Sequence, residues 1–392
     1  MANRLVGRIG RVLPMSLLSV PLAELRERRS LKWQVYASDV LPMWVAEMDT
    51  DLHPAVRATL KAAIDRGDTG YPYGTAYAEA FAAMADARWG WQLDVAAQAR
   101  RAGDVMNSIL AVLEATTSPG DAVVINPPVY PPFRQVVGGY GRRIVEAPLT
   151  PSGRLDAESL AATFSGPDRP KAYLLCSPHN PTGAVHTSAE LETALALASE
   201  HGVQVIVDEI HACLVDPGTT FVPALAAPGG ERAISVTSAG KAWNLAGFKA
   251  GLIIAGSQAT KVLAALPPLA QQSSGHLANL VHTVALTEAQ DWVDHLMVEI
   301  AANKALLATE LARELPGAQY VRTSGTYLAW VDCSGLGLAN PAAHFEQVGR
   351  VAFSPGVNFG QEHQQWVRIN LACSPELVVE GVRRMASALA TG

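Results

Sequence analysis

Short runs of apolar residues, each followed by polar or small residues, recur through the middle of the chain. Residues 122–125, 172–176, 203–207 and 233–237 are rich in Val, Ile, Leu and Ala, and each run has the length of a buried strand. A stretch with helical spacing, residues 189–200, precedes one of these runs. Alternating strands and helices predict a mostly parallel sheet with right-handed crossovers and helices packed on its faces.

The last third of the chain has a different pattern. A long amphipathic helix begins near residue 291, a strand follows at 325–332, and a last helix begins at residue 375. We therefore predict an α/β protein, in which a large domain with a mostly parallel sheet is followed by a smaller α+β domain. The expected parts are residues 1–14 as a disordered extension, 15–45 as a segment that joins the small domain, 46–290 as the large domain and 291–392 as the small domain.

The composition narrows the class of protein. The chain has 392 residues, 49% of them hydrophobic, which is enough to bury a large core. A net charge of −6 argues against nucleic acid as a partner and suits a cytoplasmic protein. The 4 cysteines lie far apart and lack the spacing of metal ligands. No apolar run approaches the roughly 18–20 residues that span a bilayer. We therefore expect no metal, no membrane contact and no nucleic-acid partner.

The amino terminus has a weak likeness to a signal peptide. Three arginines precede a short apolar run at residues 13–20, but Pro14 interrupts the run and no small-residue cleavage site follows. We therefore expect Met15 to open the folded part of the chain.

Polar side chains follow several of the predicted strands. Asn180 lies in the loop after one strand, Asp208 ends another, and Lys241 comes just beyond a third, after three small residues. The carboxyl ends of parallel strands are where open α/β sheets bind ligands. A lysine on such a loop, with few charges beside it, can act as an amine nucleophile. Taken alone, Lys241 would more often be a solvated surface lysine, so the argument depends on the neighbouring strand ends.

Three segments carry a resemblance to a known family. They read SPHNPTG at 177–183, VDEIH at 207–211 and TSAGKAWNLAG at 237–247. In this order and spacing they resemble the pyridoxal-phosphate (PLP) enzymes of the aspartate aminotransferase fold, fold type I. Near the amino terminus, RRSLKW and LPMW resemble the cystathionine β-lyase-like carbon–sulfur lyases, with Glu47 where that branch usually has Asp. The resemblance implies a large-domain sheet of the seven-stranded type and PLP as cofactor.

The resemblance also assigns the residues that hold the cofactor ring. It implies that Asp208 pairs with the pyridine nitrogen and that Asn180 donates a hydrogen bond to the phenolic oxygen, in addition to forming an Asx-Pro turn. Tyr130 is expected to stack on the ring, since aromatic stacking holds a planar group at little entropic cost. His211 is expected near the phenolic oxygen, and a packing role for this histidine stays open.

A second group of residues is expected to bind the cofactor phosphate. By position, the backbone amides of Val105 and Met106 match the family's phosphate-binding turn. They lie in the loop before a helix predicted at residues 109–116, and the free N–H groups at such a helix start favour an anion. Ser238 would add a hydroxyl group, and Lys249 stands where aminotransferases usually have an arginine. Tyr71 matches a tyrosine that reaches the phosphate from the partner subunit, which implies a homodimer with shared sites.

The remaining assignments concern the substrate and the reaction. Lys241 is expected to attach the cofactor covalently and then to remove the Cα proton. Arg368 would bind the α-carboxylate through two parallel hydrogen bonds, and Tyr73 is expected to contact the substrate. The resemblance implies α,β-elimination of L-cystathionine or another cysteine S-conjugate. Transamination is the alternative, and a catalytically silent binding or regulatory protein on the same fold is a third, lower-ranked one.

Overall fold

The computed structural model describes residues 16–390. The predicted extension at residues 1–14, and Met15, therefore lie outside the described residues. The α-helices, in chain order, are α1 Leu22–Arg26, α2 Leu31–Gln34, α3 Pro54–Asp65, α4 Ala76–Trp89, α5 Val95–Gln98, α6 Val105–Thr116, α7 Pro131–Gly138, α8 Ala157–Ser165, α9 Ser188–Glu200, α10 Lys261–Ala265, α11 Pro268–Gln272, α12 His276–Glu288, α13 Gln290–Glu314, α14 Pro341–Gln347 and α15 Pro375–Ala390. The strands are β1 Leu41–Pro42, β2 Ala99–Ala102, β3 Ala122–Ile125, β4 Arg143–Glu146, β5 Ala172–Cys176, β6 Gln204–Asp208, β7 Ile234–Thr237, β8 Gly251–Ala255, β9 Gln319–Tyr320, β10 Leu328–Asp332, β11 Val351–Ala352, β12 Ser354–Pro355 and β13 Trp366–Asn370.

A 7-stranded sheet forms the centre of the protein, in the order β2-β8-β7-β6-β5-β3-β4. Strands β3 to β7 pair in parallel, and β8 runs antiparallel to both of its neighbours. The prediction of a mostly parallel sheet of this size is confirmed. Because β3, β5, β6 and β7 are parallel, the loops that follow them lie along one edge of the sheet.

Helices cover both faces of this sheet, which explains why its inner strands β3, β5 and β8 are continuous apolar runs rather than alternating ones. In β5 all five residues are buried. Leu174 packs into a cluster that contains Val112 of α6, and Leu175 packs on the opposite face against Leu191 of α9. Residues of β5 therefore find hydrophobic partners on whichever face they point to.

A smaller antiparallel sheet, β12-β13-β10-β9, lies in the carboxyl-terminal part of the chain. The amino-terminal segment joins this part, because Leu41 of β1 pairs in parallel with Val351 of β11. Leu25 and Met43 are buried in the same cluster as Leu311 of α13 and other residues of the carboxyl-terminal part. These contacts agree with the expected role of residues 15–45, while the domain boundaries themselves stay a prediction.

Two elements begin at least three residues away from their predicted starts, whereas the other differences are smaller. Helix α6 begins at Val105 rather than at residue 109, because the Asp104 side chain accepts a hydrogen bond from Asn107 N at 2.8 Å and caps the helix. Strand β10 begins at Leu328 rather than at residue 325, since the preceding backbone bonds to other loops and Thr326 adopts a positive φ of 58°. Within residues 16–390, no helix combines the length and apolar character needed to cross a membrane.

Candidate active site

A cavity with a volume of about 180 Å³ lies at the carboxyl edge of the central sheet. The strand ends of β5, β6 and β7 contribute to its walls, together with the start of α6 and one residue of β13. The cavity therefore brings together residues that are far apart in the chain. Its predicted site residues are Val105, Met106, Tyr130, Asn180, Asp208, His211, Ser238, Lys241, Lys249 and Arg368.

The loop that carries Lys241 is fixed by hydrogen bonds on both sides. The Ser238 hydroxyl donates to the Ala250 carbonyl at 2.7 Å and accepts from Gly240 N at 3.0 Å. The backbone N of Ala239 donates to the Tyr77 hydroxyl at 3.3 Å. The small residues before the lysine thus form a compact, well-anchored loop.

Lys241 reaches into the cavity with its amine. The Nζ atom donates to the Ala46 carbonyl at 2.8 Å. Burial, and next the positive charge of Arg368, lower the pKa of Lys241 to about 8. A fraction of this amine is therefore neutral near neutral pH, which a nucleophile or a general base requires.

Asp208 is a buried carboxylate at the end of β6. It is 3% exposed, and its Oδ1 atom accepts a hydrogen bond from Ile210 N at 3.0 Å. Burial raises the pKa of Asp208 to about 7, although the Ile210 amide and the Lys241 charge act in the opposite direction. A cationic ligand beside this carboxylate would relieve the unfavourable burial of its charge.

Arg368 is the buried cation on the other side of the cavity. Its Nη1 donates to Asn180 Oδ1 at 2.9 Å, and its Nη2 donates to the Trp44 carbonyl at 3.0 Å and to Ser354 Oγ at 3.1 Å. The guanidinium group lies over the Phe359 ring at 4.9 Å. Burial lowers the pKa of Arg368 to about 10, so the group stays charged at neutral pH. Because Asn180 accepts with its oxygen, its NH2 group remains a donor for a ligand.

His211 and Tyr130 complete the ring-binding part of the cavity. Burial, and next the charges of Lys241 and Arg368, lower the pKa of His211 to about 3, so this imidazole is neutral. Its ring lies edge-on to Tyr327, with centroids 6.4 Å apart. Tyr130 precedes α7 and also lines the cavity. The cofactor contacts predicted for His211 and Tyr130 stay predictions.

One corner of the cavity is suited to an anion. Val105 and Met106 are the first residues of α6, whose initial N–H groups have no acceptor within the helix. Ser238 and Lys249 line the same cavity. Lys249 is 65% exposed and lies 3.4 Å from the Asp104 carboxylate, so part of its charge is screened by solvent and by this neighbour.

Tyr71 and Tyr73 are not brought to the cavity of their own chain. They are 96% and 99% exposed, in the loop between α3 and α4. The predicted role of Tyr71 places it in the site of a partner subunit, so this exposure is compatible with that role. The assignments of both tyrosines stay predictions.

A short segment in which the sequence analysis assigned no site residue crosses the cavity. We call residues 44–48 the strap. Its Ala46 carbonyl accepts from the Tyr327 hydroxyl at 3.1 Å as well as from Lys241, and the Asn244 side chain bonds both to Met48 N and to Met48 O at 2.9 Å. The motif LPMW signalled this stretch, but no pattern in the sequence indicated which side chains would bind its carbonyl groups.

The groups in the cavity match those that PLP requires. A phosphate suits the amide groups of α6, a planar ring suits Tyr130, and a protonated pyridine nitrogen suits the buried carboxylate of Asp208. Lys241 offers the amine through which the cofactor is attached. The fit rests most strongly on Asp208, since its raised pKa reflects a buried acid that needs a cation.

Comparison with known proteins defines the class. The family model for aminotransferase class I and II matches residues 38–385. This chain therefore belongs to that family, and the family, fold and PLP dependence predicted from its motifs are confirmed.

The names of individual relatives indicate a narrower class of enzyme than the family model does. The chain is 44% identical to a Mycobacterium leprae protein whose name assigns it provisionally to the cystathionine beta-lyases, across 95% of this chain and 98% of the relative. It is 30% identical to the cystathionine beta-lyase of Corynebacterium glutamicum, across 94% and 99%. A Corynebacterium diphtheriae structure, described provisionally as a PLP-dependent beta-cystathionase, superposes with a TM-score of 0.89 at 28% identity and covers 94% of this chain and 98% of its own.

Proposed function

We propose that the protein is a PLP-dependent carbon–sulfur β-lyase that converts L-cystathionine, or another cysteine S-conjugate, to a thiol, ammonia and pyruvate. The observation that carries this proposal is the placement of Lys241, Asp208 and Arg368 around one cavity. The cystathionine beta-lyase names of the relatives support the thioether as substrate and elimination as reaction.

Arg368 would bind the substrate carboxylate. The guanidinium group is buried and already oriented by Asn180, Ser354 and the Trp44 carbonyl, so little side-chain freedom is lost when a carboxylate arrives. Three of its five N–H groups are engaged in these bonds, which leaves Nε and one proton of Nη1. A two-point contact with the carboxylate would therefore use a remaining proton or replace one of the present acceptors.

Lys241 would act on the substrate at Cα. PLP, when bound, withdraws electrons from Cα and so makes its C–H bond acidic. Asp208 favours this by stabilising positive charge at the ring nitrogen. The Lys241 amine takes the Cα proton, the Cβ–S bond breaks, and the electron pair leaves with the sulfur as a thiolate. The overall reaction consumes one water and releases thiol, pyruvate and ammonia in equal amounts.

A cytoplasmic homodimer is part of the proposal. The loop with Tyr71 and Tyr73 exposes two aromatic rings to solvent in the single chain, and large exposed aromatic side chains are typical of surfaces that contact a partner. In the proposed dimer, Tyr71 completes the phosphate site of the other subunit. The net charge of −6 agrees with a cytoplasmic location.

Transamination is the second candidate, since the family that matches this chain is named for it. Both reactions begin with loss of the Cα proton, and the same three residues would serve either of them. The difference lies in what happens next, because elimination expels a group from Cβ whereas transamination returns a proton and needs a keto acid. A catalytically silent binding protein is the third candidate. It ranks lowest because the residues needed for turnover are present.

The test is to give the purified, PLP-loaded protein a series of cysteine thioethers with and without a keto acid. We expect pyruvate from L-cystathionine without a keto acid, and no pyruvate from L-alanine, which binds through the same groups but has no leaving group. Consumption of amino acid only when a keto acid is present would make the protein an aminotransferase. No turnover of any thioether or amino acid would favour the silent protein.

A further inference from the structure

The side chain of Asn370 is buried and hydrogen-bonded through both its nitrogen and its oxygen, yet it does not line the cavity. It is 1% exposed and lies two residues after Arg368 on β13, so both side chains point to the same face of the strand. Its Nδ2 donates to the carbonyls of Val45 at 2.7 Å and Glu47 at 2.6 Å, and its Oδ1 accepts from Ala372 N at 2.8 Å. The Asn370 side chain thus holds the strap by two of its carbonyl groups.

Val45 and Glu47, whose carbonyl groups bind Asn370, are the two ends of a tight turn. Glu47 N donates to the Val45 carbonyl at 2.9 Å, which closes a three-residue turn centred on Ala46. The amide that holds both ends fixes the plane of the peptide groups between them. The Ala46 carbonyl at the centre accepts from Lys241 Nζ at 2.8 Å and from the Tyr327 hydroxyl at 3.1 Å. A carbonyl oxygen has two lone pairs, so these two donors use its full capacity.

We propose that Asn370 is a positioning residue, whose side-chain amide holds the strap so that the Ala46 carbonyl accepts a hydrogen bond from the Lys241 ammonium group. Asn370 itself contacts neither substrate nor cofactor in this role. The inference rests on the proposed function only in giving Lys241 the role of base. A carbonyl oxygen binds an ammonium group more strongly than a neutral amine, and the ammonium group is the form that Lys241 reaches after it has taken the Cα proton.

The position of this carbonyl has a measurable consequence for Lys241. An acceptor beside an ammonium group stabilises the charged form, and so opposes the burial that lowers the pKa of this lysine. If the strap shifts, that stabilisation is lost and the pKa falls further. The charged and titratable groups that face Lys241 from the surrounding elements are Arg368 of β13, Lys249, Asp208 of β6, His211 and Glu47. The first four lie outside the strap and stay in place. Glu47 moves with the strap, and loss of its negative charge beside Lys241 lowers the pKa of the lysine in the same direction.

The test is Asn370→Ala in the full chain without cofactor. Lys241 is labelled with a small amine-reactive anhydride at a series of values between about pH 6 and 10, and its peptide is quantified by mass spectrometry. We expect the midpoint of the labelling curve for Lys241 to fall by roughly one pH unit, as for loss of a hydrogen bond to a charged group. In the PLP-loaded protein, the acidic limb of the kcat profile should move in the same direction.

Asn303→Ala is the matched control. Asn303 is also 1% exposed, and its Nδ2 also donates to two backbone carbonyls, those of Leu371 at 2.9 Å and Cys373 at 2.8 Å. This variant loses the same two bonds donated to backbone carbonyls and no contact with the strap; Asn370→Ala in addition loses the acceptor of Ala372 N. We expect its Lys241 labelling curve to coincide with that of the parent protein.

An unchanged curve for Asn370→Ala would overturn the proposal, and so would equal changes in both variants, since these would indicate general loosening. Asn370→Ser, which retains an acceptor for Ala372 N but cannot bridge both carbonyls, is judged by the same criterion and replaces the alanine variant if that variant does not fold. Because the labelling is done without cofactor or substrate, a failure of the lyase assay would leave its result unaffected.

Discussion

Replacing Asp208 with asparagine should have opposite effects on the stability of the cofactor-free protein and on PLP binding. Asp208 is 3% exposed, and burial raises its pKa from 3.8 to about 7. Without a cation at the site, this carboxylate is a buried charge with incomplete compensation. Asparagine has nearly the same shape and can still accept the hydrogen bond from Ile210 N, but it carries no charge.

The size of the stability effect follows from the pKa. At about 1.36 kcal/mol for each pH unit, a rise from 3.8 to about 7 corresponds to about 4 kcal/mol of lost stability when the group is ionised. The folded protein binds more protons than the unfolded chain between these two values. Stability therefore falls as the pH rises through that window and stays low above pH 7. We expect Asp208→Asn to raise the unfolding free energy by about 1 to 4 kcal/mol near pH 8, with the upper value reduced because the new amide also needs a partner.

PLP binding should change in the opposite direction. With cofactor bound, the carboxylate has its cation, and removal of one partner of a buried ion pair costs several kcal/mol. We expect the affinity for PLP to fall by roughly 100-fold or more. The assays are urea unfolding of the cofactor-free proteins near pH 5 and pH 8, at one protein concentration, and equilibrium dialysis of PLP near pH 8.

Glu209→Gln provides the control for this reasoning. Glu209 is equally buried, and burial raises its pKa to about 7, but its carboxylate bonds to Ala224 N at 2.7 Å and Ser235 Oγ and does not line the cavity. Glu209→Gln should also raise the free energy of unfolding, and by more near pH 8 than near pH 5. Its affinity for PLP should stay close to that of the parent protein. The reasoning is refuted if Asp208→Asn is no more stable than the parent near pH 8, or if its gain is the same at both pH values.

Three further predictions concern the cavity. Lys241→Ala should lose both turnover and the visible absorbance band of the lysine-linked cofactor, and a spectrum unchanged in this variant would contradict the assignment. Arg368→Lys should raise KM for amino-acid substrates by roughly 10- to 100-fold with a smaller change in kcat, because an ammonium group cannot make the two-point contact; an unchanged KM in steady-state assays would exclude the predicted role. In a mixture of Tyr71→Ala and Lys241→Ala subunits, mixed dimers contain one complete site, so activity should rise above that of either variant alone. No rise after subunit exchange, confirmed by mass spectrometry of the mixed dimers, would argue against a shared site.

The sequence predicted most of the fold because the inner strands of the central sheet, such as β3, β5 and β7, are short, fully buried runs. Strand β5 was predicted with its observed bounds, and β6 and β7 were displaced by one residue or less at either end. The parallel arrangement then placed Asn180, Asp208 and Lys241 at one edge, as the structure shows. The start of α6 was placed too late, although Asp104 followed three residues later by Asn107 is the pattern of a capped helix.

The strap could not be predicted, because its contacts join segments that are far apart in the chain. Lys241 and Ala46 are 195 residues apart, and Arg368 and Trp44 are 324 apart. These bonds use backbone carbonyl groups, which every residue has, so no residue type marks them. Among the residues that bind the strap, Asn370 could have been noticed in the sequence. Alternation along β13 places it on the same face of the strand as Arg368.

The most direct test of the proposed lyase activity is a time course of all three products from L-cystathionine. The PLP-loaded protein is incubated without a keto acid, and pyruvate, ammonia and homocysteine are measured in the same samples, with the Lys241→Ala variant as a blank. Equal amounts of the three products, absent from the blank, are the result that the proposal predicts. Pyruvate absent from every sample, with amino acid consumed only after a keto acid is added, would contradict it and identify the protein as an aminotransferase.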